Sequence, residues 1–323
     1  MDMQSIQTSH VFSLSEVKPL EGLLRYREFC LNATKKALAK GATRRNISPI
    51  NGVSMEPWGN IGGLEYLRCP ASGSLFLAEV ATSEVWKKLL AEVAQFRRSP
   101  QTFHADITKS RTENVFEPKL HWIQSTLRVE GVHRPKILEV ATPPSGFTAM
   151  IQSRGGFGEI LSVDETDLSQ GKPAFEKLDA ALLLESLDRV NDPLALLKNV
   201  HDSLADQGLI FVTGLVSSGF DMMILGSNNA YLYPPDRANC FSLEGLKALI
   251  TKAGFQLLEV STPGVLDVEI VKSHLNHNPD TSLSTFEKKL LGADRVTHTA
   301  FQSFLQQSNM SSFARIVARK TKC

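Results

Sequence analysis

Two acidic side chains at the ends of apolar segments have a spacing that suits a nucleoside site. Glu139 lies in KILEVA, and Asp164 follows the apolar run EILSV, 25 residues later. In dinucleotide-binding proteins, an acidic side chain at about this distance accepts hydrogen bonds from the ribose hydroxyls. The spacing therefore indicates a nucleoside ligand. The alternative is that Asp164 and Glu165 only begin a loop, which is a common use of aspartate.

A second group of polar and aromatic side chains lies in the segment 216–240. This segment has more than twenty residues. It is longer than an ordinary connection between two elements, and such length is typical of functional loops. Its last part contains Tyr231, Tyr233, Asp236, Arg237 and Asn239.

Several familiar site chemistries lack the residues that they need. Of the eight histidines, His274 and His277 stand three apart, but no carboxylate completes a metal-ligand set beside them. The sequence has neither a G-x-S-x-G elbow nor a G-x-x-x-x-G-K-[ST] loop. The run RGGFGEI resembles part of a dinucleotide fingerprint, but it precedes a strand where that motif must follow one. We expect no metal ion, and hydrolase and kinase functions have no support.

The elements that must position these residues alternate along the second half of the chain. From Lys136 onward, the predicted strands KILEVA, EILSVDE, LDAALLLES, LIFVTG and FQLLEVS are separated mostly by helical segments. Such alternation predicts a mostly parallel sheet with helices on both faces. We divide the chain into residues 1–130 and 131–323. The polar stretch 99–117 is predicted to be a loop, and residues 265–310 a helical insertion that forms a lid, a dimer surface or an ordinary packed appendage.

Composition excludes several classes of partner and location. The 323 residues are 42% hydrophobic and 21% charged, as in ordinary globular proteins, and the net charge of +1 gives no bulk attraction to a polyanion. We therefore expect no nucleic acid. The N-terminus has no secretion signal and no segment is apolar enough to span a membrane, while the four scattered cysteines suit a reducing compartment. We expect a cytoplasmic protein with a small-molecule substrate. The sequence leaves open whether it forms a homodimer.

The second half of the chain resembles a class I S-adenosylmethionine-dependent methyltransferase. The resemblance runs from Lys136 to the C-terminus, where SSFARIVARK matches the antiparallel last strand. It implies an α/β fold with a Rossmann-like, mostly parallel sheet, preceded by a smaller α+β module. The residues that carry it, in chain order, are Glu185, Asp192-Pro193, Gly208 in a turn, Phe241-Ser242 and Ala253-Gly254-Phe255.

The resemblance also implies a cofactor site and an acceptor site. Family members have E-x-G-x-G-x-G after the first strand; here LEVATPPSGF places Ala141, Pro143 and Ser145 at the glycine positions, with Gly146 one residue out of register. Only 14 residues separate Asp164 from Asp179, too few for the family's helix and third strand. The acceptor-side candidates come from the loops after the fourth and fifth strands: Tyr231, Tyr233, Arg237 and Asn239. The cofactor-side candidates are Glu139, which would reach the methionine amine, with Ala141, Ser145, Gly146, Asp164 and Glu185.

The N-terminal module resembles a zinc ribbon that has lost its metal. Ser48-Pro49-Ile50-Asn51-Gly52 and Cys69-Pro70-Ala71-Ser72-Gly73 have the C-P-x-C-G shape of zinc knuckles, but Cys69 alone keeps its sulfur. Because serine and asparagine do not replace thiolates at zinc, we predict a metal-free ribbon that packs around Tyr66, Leu75 and Phe76. The alternative is that the two turns match by coincidence.

Two functions follow from the sequence. The first is a methyltransferase that uses S-adenosylmethionine on a small molecule such as a sugar or natural-product intermediate, which the retained Glu139, Asp164 and Glu185 favour. The second is a methyltransferase-like protein that no longer methylates and instead binds a partner or catalyses another reaction. The changed cofactor loop and the short segment before Asp179 favour the second.

Overall fold

The computed structural model describes residues 13–17, 19–99, 108–143, 145–172 and 175–321. Pro144 of the predicted cofactor loop and the C-terminal Cys323 lie outside the described residues.

The N-terminal part packs two long helices against short antiparallel strands. A four-stranded sheet has the order β10–β4–β3–β2, while β1 pairs with β5. The strand β10 (Asn239–Cys240) comes from the second half of the chain and pairs antiparallel with β4. The other elements of this part are α1 (Leu14–Val17), α2 (Leu20–Leu38), β1 (Ala42–Arg44), β2 (Glu56–Ile61), β3 (Leu64–Arg68), β4 (Leu75–Leu77), β5 (Glu79–Ala81) and α3 (Ser83–Arg97).

A helical segment in place of the predicted loop leads into the second half. The chain forms α4 (Thr108–Arg111), a π-helical turn (Thr112–Phe116) and α5 (Glu117–Val129). The loop prediction was wrong for residues 108–117, where an aromatic contact anchors the helical segment, and residues 100–107 of the predicted loop lie outside the described residues. The Thr112 hydroxyl donates to the Thr108 carbonyl at 2.9 Å. The ring of Phe116 packs edge-to-face on Phe147, with centroids 6.0 Å apart, which gives this polar stretch an apolar anchor.

Within the described residues, the main sheet has six strands in the order β11–β12–β9–β8–β6–β7. The strands β7, β6, β8 and β9 are mutually parallel, and β12 runs antiparallel to both of its neighbours. This confirms the expected Rossmann-like, mostly parallel α/β fold with an antiparallel last strand. The strands are β6 (Lys136–Val140), β7 (Glu159–Val163), β8 (Leu178–Leu184), β9 (Leu204–Leu215), β11 (Phe255–Ser261) and β12 (Phe313–Lys320).

The helices of this half fill the connections between the strands. Between β7 and β8, the described residues contain only the short helix α7 and no third strand, in agreement with the short spacing in the sequence. The helices are α6 (Gly146–Arg154), α7 (Glu165–Ser169), α8 (Pro193–Ser203), α9 (Phe220–Leu225), α10 (Leu243–Lys252), α11 (Asp267–His277), α12 (Thr285–Leu291) and α13 (Arg295–Gln307). None of the described helices is long and apolar enough to cross a bilayer.

The two parts of the chain share buried apolar contacts. Ile50, Cys69 and Phe76 belong to the same core cluster as Leu183 of β8 and Leu246 of α10. In the other direction, residues 232–240 contribute side chains to the core under α2 and α3. The division of the chain near residue 130 stays a prediction.

The helical insertion between β11 and β12 is fastened to the sheet by one buried carboxylate. Asp267 accepts hydrogen bonds from the Ser312 backbone N–H at 2.6 Å, from the Ser311 hydroxyl at 2.6 Å and from the Gln302 amide at 2.7 Å. Because Ser312 immediately precedes β12, these bonds tie the first turn of α11 to the start of the last strand.

The two knuckle-like turns of the N-terminal part have matching backbone geometry. Gly52 and Gly73 both have φ 74°, and their N–H groups donate to the carbonyls of Ser48 and Cys69 at 2.9 and 2.8 Å. The Cys69 thiol lies 3.6 Å from Asn51 Oδ1. Burial raises the pKa of this thiol, but hydrogen bonds from Ser48 and Ser72 outweigh burial and hold it below its ordinary value. Ser48, Asn51 and Ser72 therefore all lie within hydrogen-bond range of the Cys69 thiol, while the ribbon origin of the module stays a prediction.

This adjacency predicts that a metal site can be restored. A Ser48→Cys/Asn51→Cys/Ser72→Cys variant should retain one equivalent of zinc after dialysis, because four thiolates then converge in the spacing of a structural site. Metal content measured by mass spectrometry checks this result. The matched control adds Cys69→Ser to the same three changes and should lose the metal. A folded triple variant without zinc would contradict the prediction.

Candidate functional site

The three carboxylates singled out in the sequence lie at one edge of the sheet. Glu139 is near the end of β6, Asp164 follows β7 and Glu185 follows β8. Since β7, β6 and β8 are adjacent and parallel, their carboxyl ends meet at the same edge. This edge is where open α/β sheets bind their ligands.

Hydroxyl groups, rather than glycines, organise the loop after β6. Ser145 caps α6 by accepting hydrogen bonds from the N–H groups of Phe147 and Thr148 at 3.2 and 3.4 Å, and its hydroxyl donates to Glu139 Oε1 at 2.7 Å. The Thr142 hydroxyl donates to Glu165 Oε1 at 3.0 Å. The loop is thus held to two buried carboxylates by its own side chains.

Glu139 is the buried acid of this edge. The residue is only 2% exposed, and burial raises the pKa of its carboxyl group to about 7 in spite of the Ser145 hydrogen bond. Its second oxygen, Oε2, is buried and has no hydrogen-bond partner within the described part of the chain. A buried carboxylate oxygen without a donor is costly, so it suits a ligand that supplies a donor or a positive charge. The α-ammonium group of S-adenosylmethionine fits this requirement.

Asp164 combines the two roles that the sequence left open. Its Oδ1 accepts the N–H groups of Thr166 and Asp167 at 2.9 and 3.3 Å, so it caps α7 and begins the following turn. Burial raises the pKa of Asp164, and the neighbouring Glu165 raises it further. Because both capping bonds use Oδ1, Oδ2 stays available as an acceptor for a ribose hydroxyl. The capping role and the nucleoside role are therefore compatible.

Glu185 directs its carboxylate at two cations. Its backbone has φ 67°, Oε1 lies 3.3 Å from Lys119 Nζ, and Oε2 lies 2.6 Å from a terminal nitrogen of Arg237. Burial would raise the pKa of Glu185, but the charges of Arg237 and Lys119 hold it well below its usual range. It is thus a permanently charged group in an ion-pair cluster, and the structure engages both of its oxygens with the chain's own residues.

The remaining cofactor-side candidates are Ala141 and Gly146. The Ala141 N–H donates to the Val163 carbonyl at 2.9 Å, which ties the loop to β7. A Cβ built on Gly146, the first residue of α6, would lie 3.9 Å from the Phe116 ring, so this position has room for a side chain. Glycine at this position is therefore not required by packing within the described chain.

The acceptor-side candidates take different places. Arg237 joins the cluster at Glu185 and also lies 3.2 Å from Asp188. Tyr233 is buried in the N-terminal core, edge-to-face with Tyr26 at a centroid distance of 6.1 Å. Tyr231 is half-buried beside it, and its N–H donates to Asn229 Oδ1 at 2.9 Å. Burial raises the pKa of both tyrosines.

Asn239 is fully buried and occupied by structural hydrogen bonds. Its amide donates to the carbonyls of Leu187 and Val190, both at 2.7 Å, and its oxygen accepts from Arg45 at 2.8 Å. These bonds fix the loop after β8 to the N-terminal part. Of the four predicted acceptor-side residues, the structure brings Arg237 into contact with a strand-end carboxylate, while the hydrogen bonds of Asn239 are to the backbone and to Arg45.

Sequence reasoning missed two buried pairs at this site. Arg189 Nε lies 3.1 Å from Glu165 Oε1, and Glu165 is fully buried. Arg97 binds both oxygens of Asp236 at 2.6 and 2.7 Å. No local pattern pairs Arg189 with Glu165, which are 24 positions apart. Nothing in the sequence pairs Arg97 with Asp236, which are 139 positions apart.

No group of three or more His, Cys, Asp or Glu side chains within the described ranges is arranged to hold a metal ion.

A comparison with family models matches residues 88–260 to a family described as a methyltransferase domain, which is 173 of the 323 residues. A search of curated proteins finds no match.

Solved structures with a similar fold include several methyltransferases. One is the 1,6-didemethyltoxoflavin-N1-methyltransferase of Burkholderia thailandensis with its substrate and S-adenosylhomocysteine bound, at 13% identity and TM-score 0.44 over 83% of this chain and 100% of that chain. Another is the plantazolicin methyltransferase, at 15% identity and TM-score 0.41 over 74% and 97%. A third is a methyltransferase of Archaeoglobus fulgidus, at 10% identity and TM-score 0.40 over 67% and 100%. These likenesses concern the fold alone.

The position of Asn239 predicts a loss of stability on substitution. Asn239→Ala removes the donor to two buried carbonyls and the acceptor of Arg45 Nη1, which should lower the free energy of unfolding by about 3 kcal/mol. Urea denaturation checks this value. The control Asn228→Ala, at an exposed position of the same segment, should change the free energy by less than about 0.5 kcal/mol. Equal stability of the two variants would show that the Asn239 bonds contribute little.

Proposed function

The chain belongs to the methyltransferase-domain family of class I S-adenosylmethionine-dependent enzymes, and we propose that it transfers the methyl group of this cofactor to a small molecule. The observation that carries the proposal is Glu139, whose buried Oε2 has no partner among the described residues and lies at the ligand-binding edge of the sheet. A sugar or a natural-product intermediate is the acceptor class that we favour.

The residues at the sheet edge are suited to hold the two polar ends of the cofactor. Glu139 would bind the ammonium group of the methionine part, and Asp164 would accept hydrogen bonds from the ribose. The Ser145 and Thr142 hydroxyls fix the loop between these carboxylates, in the place of the family's glycines. When bound, the cofactor supplies an electrophilic methyl group on its sulfonium.

The acceptor side of the site contributes mainly orientation. Methyl transfer needs the acceptor atom in line with the sulfonium. Residues that hold the acceptor in this orientation therefore increase the rate even without reacting themselves. Arg237 is held by Glu185 and Asp188, and its carbonyl accepts the Tyr66 hydroxyl at 2.7 Å. The Trp86 indole donates to the Arg189 carbonyl at 2.7 Å, which fixes the loop after β8 against α3. The N-terminal part thereby braces the acceptor side.

One observation favours the second function, a binding protein without methyl transfer. The Ser145 hydroxyl already donates to Glu139 Oε1, where a glycine loop would leave this carboxylate to the ligand. A protein that has lost the cofactor would keep this internal bond and use the site for another ligand. Cofactor binding separates the two functions.

We expect S-adenosylmethionine and S-adenosylhomocysteine to bind with a submillimolar dissociation constant in calorimetric titration. Asp164→Asn should weaken binding at least tenfold, because an asparagine that keeps the α7 cap with its single oxygen has no acceptor left for a ribose hydroxyl. The control Asp206→Asn changes an exposed aspartate and should leave the affinity unchanged. Absence of binding at millimolar ligand would contradict the methyltransferase function and favour a protein that no longer methylates.

The raised pKa of Glu139 predicts a pH-dependent affinity. Below about pH 7 the free protein keeps Glu139 protonated, and an ammonium ligand must displace this proton, so the affinity should rise from pH 5.5 to 7 and then level off. Titrations in buffers of different ionisation enthalpy measure the released proton. Glu139→Gln should flatten this rise, since the amide still accepts from Ser145 but has no proton to release.

Asp188 has a similarly raised pKa of about 7 and can add its own pH dependence, so the informative quantity is the difference between wild type and Glu139→Gln. An identical pH profile for both proteins would show that Glu139 does not contact the ammonium group.

A further inference from the structure

Two cations converge on the one carboxylate that follows the central strand β8. Lys119, only 6% exposed, lies 3.3 Å from one oxygen of Glu185, and Arg237 lies 2.6 Å from the other. Burial lowers the pKa of Lys119, while Glu185 opposes this effect. The side chain of Glu185 is nevertheless 28% exposed, so the cluster is accessible to solvent on one side.

A third cation, Arg111, is influenced by the charge of Glu185 and forms no ion pair with an acid among the described residues. Its guanidinium lies over the Phe116 ring at 5.8 Å and makes one long hydrogen bond, 3.4 Å, to the Val17 carbonyl. Burial lowers the pKa of Arg111, and the charge of Glu185 is the main influence opposing it. In the part of the chain that the structure covers, no carboxylate forms an ion pair with Arg111.

The cluster therefore carries an excess of positive charge. Arg111, Lys119 and Arg237 together have one firmly ionised partner, Glu185. The second acid near Arg237 is Asp188, and burial raises its pKa to about 7, so near neutral pH it supplies only part of a charge. Uncompensated charge away from water is unfavourable, and an anionic ligand would relieve it.

A further acid and an unused donor complete the description of this cluster. Asp236 adds no free negative charge, because Arg97 binds both of its oxygens. The Nε atom of Arg237 is buried and has no hydrogen-bond partner within the described residues. A guanidinium with one unused N–H donor can still bind a carboxylate or a phosphate, the groups that arginine recognises best.

We propose that Arg111, Lys119 and Arg237 form a binding site for an anionic group, a carboxylate or a phosphate, on the methyl acceptor. The part of this statement that concerns the acceptor rests on the proposed function, whereas the anion site itself does not. Net charge and burial favour a small anion over a nucleic acid, since the whole chain carries only +1.

The position of the site agrees with an acceptor beside the cofactor. Arg111 precedes the π-helical turn Thr112–Phe116, a type of distortion that is frequent at functional sites. The same turn places Phe116 against Phe147 of α6, the helix that follows the cofactor loop. An anion held by Arg111 and Lys119 would thus lie next to the loop that carries Ser145.

The test is a calorimetric titration of the full chain with inorganic phosphate and, separately, with succinate at constant ionic strength. We expect saturable millimolar binding of at least one of them, weakened at least tenfold by Arg111→Gln. The matched control is Lys109→Gln, which removes a positive charge from an exposed position of the same helix and should change the affinity less than twofold. Phosphate binding alone identifies a phosphorylated acceptor, and succinate binding alone a carboxylate-bearing acceptor.

Thermal melting verifies that each variant is folded, and Lys119→Met replaces Arg111→Gln in the comparison if the latter does not fold. The proposal is overturned if neither anion shows saturable binding at concentrations up to about 50 mM. It is also overturned if Arg111→Gln binds the anion as tightly as Lys109→Gln. Titration of the same samples with S-adenosylmethionine separates the two claims. Cofactor binding without anion binding would contradict only the proposed anion site. Anion binding without cofactor binding would contradict the proposed methyltransferase function and leave the anion site supported.

Discussion

The ion pair between Glu185 and Arg237 is the contact on which the arrangement of the site depends. It joins the end of the central strand β8 to the segment that also supplies β10, the strand that completes the N-terminal sheet. Both side chains are largely buried, and each has a second partner, Lys119 for Glu185 and Asp188 for Arg237, so the pair is the centre of a network of charges. Removal of one member of a buried pair is unfavourable because it disturbs the charge balance of its neighbours. The Asn239 bonds to the Leu187 and Val190 carbonyls act on the same junction, which makes the loop after β8 a shared wall of both parts of the chain.

The cofactor loop shows how a chain can keep a ligand-binding edge without the glycines of its family. A glycine loop binds through close backbone approach, which requires the absence of Cβ atoms. Here proline fixes part of the backbone, and the hydroxyls of Thr142 and Ser145 reach back to Glu165 and Glu139. In this chain the loop is tied to two carboxylates by its own hydroxyls. Because Ser145 donates to Oε1 of Glu139 and Oε2 has no partner among the described residues, a ligand can bind this carboxylate without breaking the internal hydrogen bond.

Much of the fold was predictable because its signals are local. Short apolar runs and the Asp192-Pro193 helix start predicted the sheet, and Asp192 indeed caps α8 through the Ala195 N–H at 2.9 Å. The turn expected at Gly208 was wrong, because Gly208 lies inside β9 (Leu204–Leu215) and Gln207 has the positive φ. A Cβ on Gly208 would lie 2.9 Å from the Ala205 carbonyl, so close backbone packing explains the glycine. The strand β10 and the Arg97–Asp236 pair join residues far apart in the chain, and no local pattern encodes such contacts. Of the site, the strand-end carboxylates were predictable from position, whereas their partners Lys119, Arg111 and Arg189 were not.

The net charge of the protein and the local charge of the cluster determine different properties: long-range attraction to a partner and short-range binding of a ligand. A total of +1 governs attraction over distances beyond the screening length of about 8–10 Å, and on that scale the protein is close to neutral. Inside the cluster, Arg111, Lys119 and Arg237 act on a ligand within a few ångströms and through a medium less polar than water, where each charge counts for more. A composition that argues against a polyanion thus has no bearing on a single phosphate or carboxylate. Glu185 balances only part of the positive charge of the three cations. The preference of this cluster for an anion is therefore set by the nearby charges and not by the net charge of the chain.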